Sequence, residues 1–324
     1  MPYTDQYADF PLFSFGYLGV QLFFLLSGFV ILMTLEKCNG FFHFIIKRWL
    51  RLFPAMLICS CFIYATSSFF FERPNGIINI KDLIPGLTFI EPYYISQLIG
   101  TVDSIESAFW SLYVEFKFYV ISAFIYFLFG GKKLVYILFF LFCAWFAAYI
   151  AQDYTTNKFI YFLYSVATHL SLKYFGWFAA GSAFYFYTKT QDKSWFLFAC
   201  FICICSSAAV AVEKSSLDVF FAITILCLLF GYSIISSRLQ LFLGNRFLVF
   251  MGYISYPLYL MHENIMIAFT LKFKNLLPDV FLFLLPLLAL AIISLTAFII
   301  ARYLERPLKV FIENRFNGIK SLVS

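Results

Sequence analysis

Long apolar runs separated by short polar gaps set the pattern of this chain. A helix that crosses a bilayer needs about 20 mainly apolar residues. Runs that meet or approach this length lie at 16–35, 49–71, 109–130, 134–151, 174–188, 195–212, 217–235, 247–271 and 280–302. The pattern predicts an all-α fold, a polytopic transmembrane helix bundle of about nine spans by that length criterion. The 174–188 run is short, and the stretch 159–173 before it holds His169 and Lys173. Those two stretches read as one long broken element or a re-entrant piece. No low-complexity linker, soluble domain or clear internal repeat divides the series, so a single membrane domain is expected over residues 1–324.

Composition sharpens this picture. Of 324 residues, 63% are hydrophobic and 12% charged, against about 45–50% and about 25% in soluble domains. Mean hydropathy is +0.87. The net charge of +6 fits cytoplasmic loop bias, and no basic, aromatic-interleaved surface is present to hold a nucleic acid. Lys37, Lys47 and Arg48 occupy one gap, Lys132 and Lys133 a second, Lys189 and Lys193 a third, and Arg238 and Arg246 a fourth. Arg302, Arg306, Lys309, Arg315 and Lys320 follow the last span. These regions share one side of the predicted bundle, which the positive-inside rule makes cytoplasmic. The N-terminus is then expected outside and the C-terminus inside. The largest outer loop, 72–108, carries Glu72, Asp82, Glu91, Asp103 and Glu106 against Arg73 and Lys81.

Cysteine adds no chemistry. Of eight cysteines, only Cys38 lies in a loop, and the others read as small packing residues within apolar runs. No histidine completes a ligand set around Cys200, Cys203 and Cys205, so no metal site is expected. Residues 1–15 show neither a basic n-region nor a small-residue cleavage site, so no cleavable signal peptide is expected.

Four segments and the first span carry the candidate chemistry. Within Gly16–Val30, Gln21, Ser27 and spaced glycines interrupt an apolar run; such residues serve helix packing or a site. In Phe44–Pro54, Lys47 and Arg51 share a helical face with Arg48 on its flank. That cluster suits a phosphate clamp, or else an interfacial anchor with snorkelling side chains. In Phe109–Tyr119, Glu115 sits within an apolar span, with Trp110 and Ser111 near its outer end. A carboxylate at membrane depth is costly and marks a functional site by default, although a packing contact would also account for it. Lys117, two residues on, does not face it. In Tyr253–Glu263, His262 suits a proton shuttle or a hydroxyl-substrate contact; a packed, hydrogen-bonded imidazole is the plainer reading. Glu263 beside it suits a solvated interface. The segment Arg302–Pro307 closes the last span.

Together these segments resemble the acyltransferase-3 family of integral membrane enzymes. The resemblance rests on Gly19-Val-x-Leu-Phe-Phe-x-Leu-Ser27-Gly-Phe, Arg48-x-x-Arg51-Leu-x-Pro54, Trp110-Ser-Leu-x-x-Glu115-x-x-Phe-Tyr119, Ser255-Tyr-x-Leu-Tyr-Leu-x-His262 and Glu305-Arg-Pro307, in family order. It implies an O-acyltransferase that moves an acyl group, by family habit acetyl, from cytoplasmic acyl-CoA to a hydroxyl of an extracytoplasmic sugar, polysaccharide or lipopolysaccharide. Acyl-CoA is then a donor substrate, no permanently bound cofactor is expected, and the partners are membrane lipid and a sugar acceptor. The expected location is the cytoplasmic membrane of a bacterium. Lys47, Arg48 and Arg51 become candidates for donor phosphates, Glu115 and His262 for catalysis, and Trp110, Ser111, Ser27 and Gln21 for substrate contact.

One departure accompanies the resemblance. Family members open with a span bearing an Arg and a His taken as the base, and residues 1–15 contain neither. The expectation is the family fold minus its first helix, with His262 the remaining intramembrane histidine in a family motif. A polysaccharide or lipid-linked sugar transporter or flippase, and an inactive truncated family member, stay open as alternatives.

Overall fold

The computed structural model describes residues 15–276 and 284–323. Every regular element among them is helical. A short 3-10 turn, Gly16–Leu18, leads into α1 (Gly19–Leu35), then α2 (Phe41–Thr66), α3 (Leu83–Thr88), α4 (Pro92–Ile99) and α5 (Trp110–Phe129). Next come α6 (Gly131–Ala151), α7 (Lys158–His169), α8 (Phe175–Thr190), α9 (Lys193–Lys214), α10 (Leu217–Ile235) and α11 (Ser237–Leu243). α12 (Arg246–Phe273) and α13 (Leu284–Ile299) follow, and α13 continues through a π-helical segment, Ile300–Glu305, into α14 (Arg306–Val323). The all-α polytopic bundle read from the hydropathy pattern is the fold of the chain.

Seven helices among the described residues are long and apolar enough to cross a membrane: 16–35, 41–66, 107–129, 131–151, 193–214, 217–235 and 284–315. Two further predicted spans form helices of a different character. α8 covers the 174–188 run with 16 residues, about 24 Å of helix, shorter than the roughly 30 Å hydrocarbon core. α12 covers 247–271 with 28 residues, but Arg246, His262, Glu263, Asn264 and Lys272 dilute its apolar character. The predicted broken element is present: α7 ends, Ser171 takes a left-handed φ of 60°, and a 3-10 turn at Leu172–Tyr174 leads into α8. Residues 280–283 of the last predicted span lie outside the described residues, as does the 1–14 segment.

The chain divides into two compact units. The first comprises residues 1–45 and 114–243, the second residues 46–113 and 244–324, and the divisions fall inside α2, inside α5 and between α11 and α12.

In the first unit α8 is the interior helix, with eleven of its sixteen residues buried. It lies on α1 at glycine contacts. A Cβ on Gly28 would overlap the Phe178 carbonyl oxygen, and one on Gly181 would overlap that of Leu25. Small residues let two backbones approach closely, which is a main source of helix association in a bilayer. Ser182 Oγ adds a 3.0 Å bond to the Gly28 carbonyl. Phe178 also stacks on Phe118 of α5, with ring centroids 3.7 Å apart. At the far end of the α1–α8 pair, Glu36 accepts from Tyr185 and Lys189 at 2.7 and 2.8 Å.

In the second unit the segment between α2 and α5 is folded, not a solvated acidic loop. Asn79 and Asp82 form a capping box, and Asp82 Oδ1 accepts from the Asp103 N–H at 3.1 Å. Arg73 and Glu106 form an ion pair at 3.1 Å with each side chain only 1% exposed. The sequence placed these charges at a water-facing surface; the structure withdraws both from water, because each finds partners inside the unit. α2 and α12 each contain an interior proline, Pro54 and Pro257. A proline inside a helix removes a backbone donor and bends the ladder. The Tyr256 hydroxyl donates to the Leu52 carbonyl at 3.2 Å, beside the Pro54 interruption.

Candidate active site

The polar residues singled out in the sequence fall into two groups. In the first unit, Ser27 and Glu115 are both buried, and Ser27 Oγ donates to Glu115 Oε1 at 2.9 Å. Lys117 turns elsewhere, donating to the His169 carbonyl at 2.6 Å and to Ser171 Oγ at 3.2 Å. This is what a separation of two residues on a helix demands. His169 itself is exposed. Gln21 is half-buried, and its Oε1 is enclosed without a hydrogen-bond donor among the described residues.

The second group surrounds His262 on α12. The imidazole is half-buried, and its Nδ1 lies 2.8 Å from the Tyr259 carbonyl oxygen. A carbonyl oxygen only accepts, so Nδ1 carries the hydrogen. The neutral ring then presents Nε2 as a bare acceptor, the form a general base requires. One turn away, the Tyr259 hydroxyl donates to the Ala108 carbonyl at 2.6 Å. Ser111 Oγ lies 2.6 Å from the same hydroxyl. Ser111 is thus buried in a chain of hydroxyls, whereas Trp110 beside it is 39% exposed.

A ring of bonds ties this turn of α12 to the entry of α5. Glu263 Oε2 accepts from the Ala108 N–H at 2.5 Å. Glu106 Oε2 accepts from both the backbone N–H and Nδ2 of Asn264, at 3.0 and 2.7 Å. Arg73 Nη2 donates to Glu106 Oε1 at 3.1 Å and to the Ile105 carbonyl at 2.8 Å. Burial pushes the Glu106 carboxyl up to about 7; Asn264 and Arg73 oppose that rise and Glu263 adds to it. Burial also lowers Arg73 below its ordinary value, against the pull of Glu106. Arg73, Glu106, Tyr259 and Asn264 were not singled out in the sequence. The available signal was Asn264, a polar side chain inside an apolar span, one residue beyond the recognised motif.

The basic cluster divides. Lys47 and Arg51 are exposed on one face of α2, as their spacing predicts, while Arg48 is turned inward at 3% exposure. Glu305 lies within the electrostatic reach of Lys309 and Arg51, which draws the first basic segment and the closing Glu305-Arg-Pro segment together. Between α2, α12 and α13 lies a cavity of about 200 Å³ lined by Phe62, Phe69, Met261, Phe269 and Ile293 among others. Its one hydroxyl, on Thr296, is spent on the Ile292 carbonyl of its own helix at 3.0 Å. A sugar needs several polar partners, and this cavity provides none.

The architecture defines a polytopic helical membrane protein with buried polar clusters around Ser27–Glu115 and around His262. The acyltransferase-3 family model, an acyltransferase domain, matches residues 1–304. The match covers nearly the whole chain and both of its units, and the chain belongs to that family. It is a membrane acyltransferase in the general sense. Neither the curated proteins nor the solved structures provide a match.

Proposed function

We propose that the chain transfers an acetyl group from acyl-CoA to a hydroxyl of an extracytoplasmic sugar, polysaccharide or lipopolysaccharide, as an O-acyltransferase of a bacterial cytoplasmic membrane. The observation that carries this reading is the Nδ1–Tyr259 carbonyl bond, which leaves the lone pair of the neutral His262 ring on Nε2. In this mechanism Nε2 takes the proton of the acceptor hydroxyl as its oxygen attacks the thioester carbonyl carbon. The carbonyl electron pair moves onto oxygen, and polar groups in a dry site stabilise that charge. Collapse of the intermediate breaks the carbon–sulfur bond, and the leaving thiolate takes the proton back from the imidazolium. The products are the acyl ester and free CoA.

The exposed Lys47–Arg51 face suits the donor's phosphates, which bind paired cations through charge-assisted bonds. Arg48, facing inward, supports that face from behind. Glu115 serves electrostatics and packing beside Ser27, and Trp110 offers an exposed aromatic surface to a sugar ring. The basic gaps support a cytoplasmic donor side by the positive-inside rule.

The test is transfer of labelled acetyl from acetyl-CoA to cell-surface glycan in cells expressing the chain. Label in glycan that disappears with His262→Gln, at equal membrane protein level, is the expected result. Glycan that crosses the membrane without acquiring label would replace this reading with a transporter. Full labelling by the His262→Gln protein would remove the imidazole from the mechanism.

A further inference from the structure

The Arg73–Glu106–Asn264 cluster lies at the heart of the second unit, yet none of its members carries a proton in the mechanism above. All three residues are buried. Asn264 sits two residues beyond His262 in the same helix turn, and its backbone N–H donates to Glu106 outside the helix. A side chain that takes a backbone N–H out of the helix ladder bends the helix at that point, and here the bend is tied to Glu106. The same turn is held by Glu263 on the Ala108 N–H and by Tyr259 on the Ala108 carbonyl. Residues 259, 263 and 264 flank the imidazole on both sides along the chain, and all three are fastened to residues 106–108. Arg73 in turn grips Glu106 and the Ile105 carbonyl, so the strap is fixed at both ends.

We propose that Arg73, Glu106 and Asn264 are positioning residues that hold the His262 turn so that Nδ1 stays on the Tyr259 carbonyl and Nε2 stays free. The proposal rests on the reading of His262 as the base. Its physical basis is the sensitivity of reaction rate to geometry: displacement of a reacting group by about 1 Å can cost ~10²-fold. A strap of charge-assisted bonds, shorter and stronger than neutral ones, limits such displacement. Arg73 Nε and Nη1 and Asn264 Oδ1 are buried without a partner among the described residues, so the bonds through Arg73 Nη2 and through the Asn264 N–H and Nδ2 are the ones that hold the turn.

Histidine is scarce enough for a direct test. Replacing His43 and His169 with glutamine leaves His262 as the sole histidine of the chain. In that background, nitrogen-15 NMR of labelled histidine in detergent reads the tautomer of His262 without reference to catalysis. The parent should show the Nδ1–H tautomer. Glu106→Gln places an amide donor against Arg73 and Asn264 and should give a mixture of tautomers. Acetyl transfer should fall ~10²-fold with KM for acetyl-CoA unchanged. Asn264→Ala keeps the backbone bond to Glu106 and loses the side-chain bonds from Nδ2 to Glu106 and to the Ile105 carbonyl, so it should show the same changes to a smaller degree. If Glu106→Gln yields no folded protein, Asn264→Ala alone decides. An unchanged tautomer in folded Glu106→Gln or Asn264→Ala protein overturns the proposal. A shifted tautomer together with full transfer by His262→Gln would keep the strap and discard His262 as the base.

Discussion

Ser27 and Glu115, 88 residues apart in the chain, share a buried 2.9 Å hydrogen bond between α1 and α5. A carboxylate within an apolar span is stabilised by whatever donors the fold supplies, and a lost donor leaves a buried acceptor under-satisfied at about 1–3 kcal/mol. Ser27→Ala should therefore lower thermal stability in detergent by an amount in that range. Glu115→Gln keeps an acceptor oxygen for Ser27 and should fold nearly as well as the parent. A melting curve of each variant by tryptophan fluorescence checks both. Equal loss from the two substitutions would mean that the charge, not the Ser27 bond, stabilises the pair.

The α1–α8 contact makes a steeper prediction. Cβ atoms on Gly28 and Gly181 would overlap backbone carbonyl oxygens, which cannot rotate away as a side chain would. Gly28→Ala and Gly181→Ala should each cost at least the 1–3 kcal/mol typical of overpacking. Gly16→Ala or Gly252→Ala, where a Cβ meets nothing within 4 Å, should be almost silent. Recovery of monodisperse protein after detergent extraction separates the two classes.

These two relationships show what the sequence could reveal and where its reach ended. The apolar runs located most helices because solvation by lipid imposes length and hydropathy on a span independently of its neighbours. The polar interruptions at Ser27 and Glu115 could be found because they break that pattern. Nothing in a one-dimensional pattern shows that Ser27 meets Glu115, or that Gly28 meets Phe178, because those are consequences of packing. Loop 72–108 misled for a related reason. Arg73 and Glu106 look like ordinary loop charges, and only their juxtaposition with Asn264, 158 residues from Glu106, makes burial tolerable. α8 was read as a marginal span from its apolar content, but that content reflects burial among other helices. A buried helix and a short spanning helix share one hydropathy signature.

The divided basic cluster predicts divided phenotypes. Lys47 and Arg51 are exposed, whereas Arg48 is buried. Arg51→Ala should raise KM for acetyl-CoA about tenfold or more, the size of a lost charge-assisted contact of about 1.5–3 kcal/mol, and leave folding intact. The effect should shrink at high salt, since exposed charges are screened. Arg48→Ala should act on folding first, lowering recovery of the protein from membranes. Steady-state kinetics at two salt concentrations, beside a solubilisation assay, distinguishes a clamp from a simple interfacial anchor. Unchanged kinetics for Arg51→Ala would assign that face to the anchor.

Glu106 sets the sign of a pH effect on stability. Burial raises its carboxyl from an ordinary 4.5 to about 7. Between these values the folded protein holds a proton that the unfolded chain has already released. Stability must then fall as pH rises through that window, because the folded state binds more protons there. The stabilisation is complete below about 4.5 and lost once pH passes about 7, with a ceiling of about 3 kcal/mol for one such group. Melting temperatures measured from pH 4.5 to 7.5 in one detergent should decline, after the contributions of other carboxylates are fixed by comparison with Glu106→Gln. In that variant the decline assigned to residue 106 should vanish, since an amide does not titrate in this range. A stability that instead rises through the window, and does so only when Glu106 is present, would mean that Arg73 and Asn264 outweigh burial and hold the carboxylate ionised throughout.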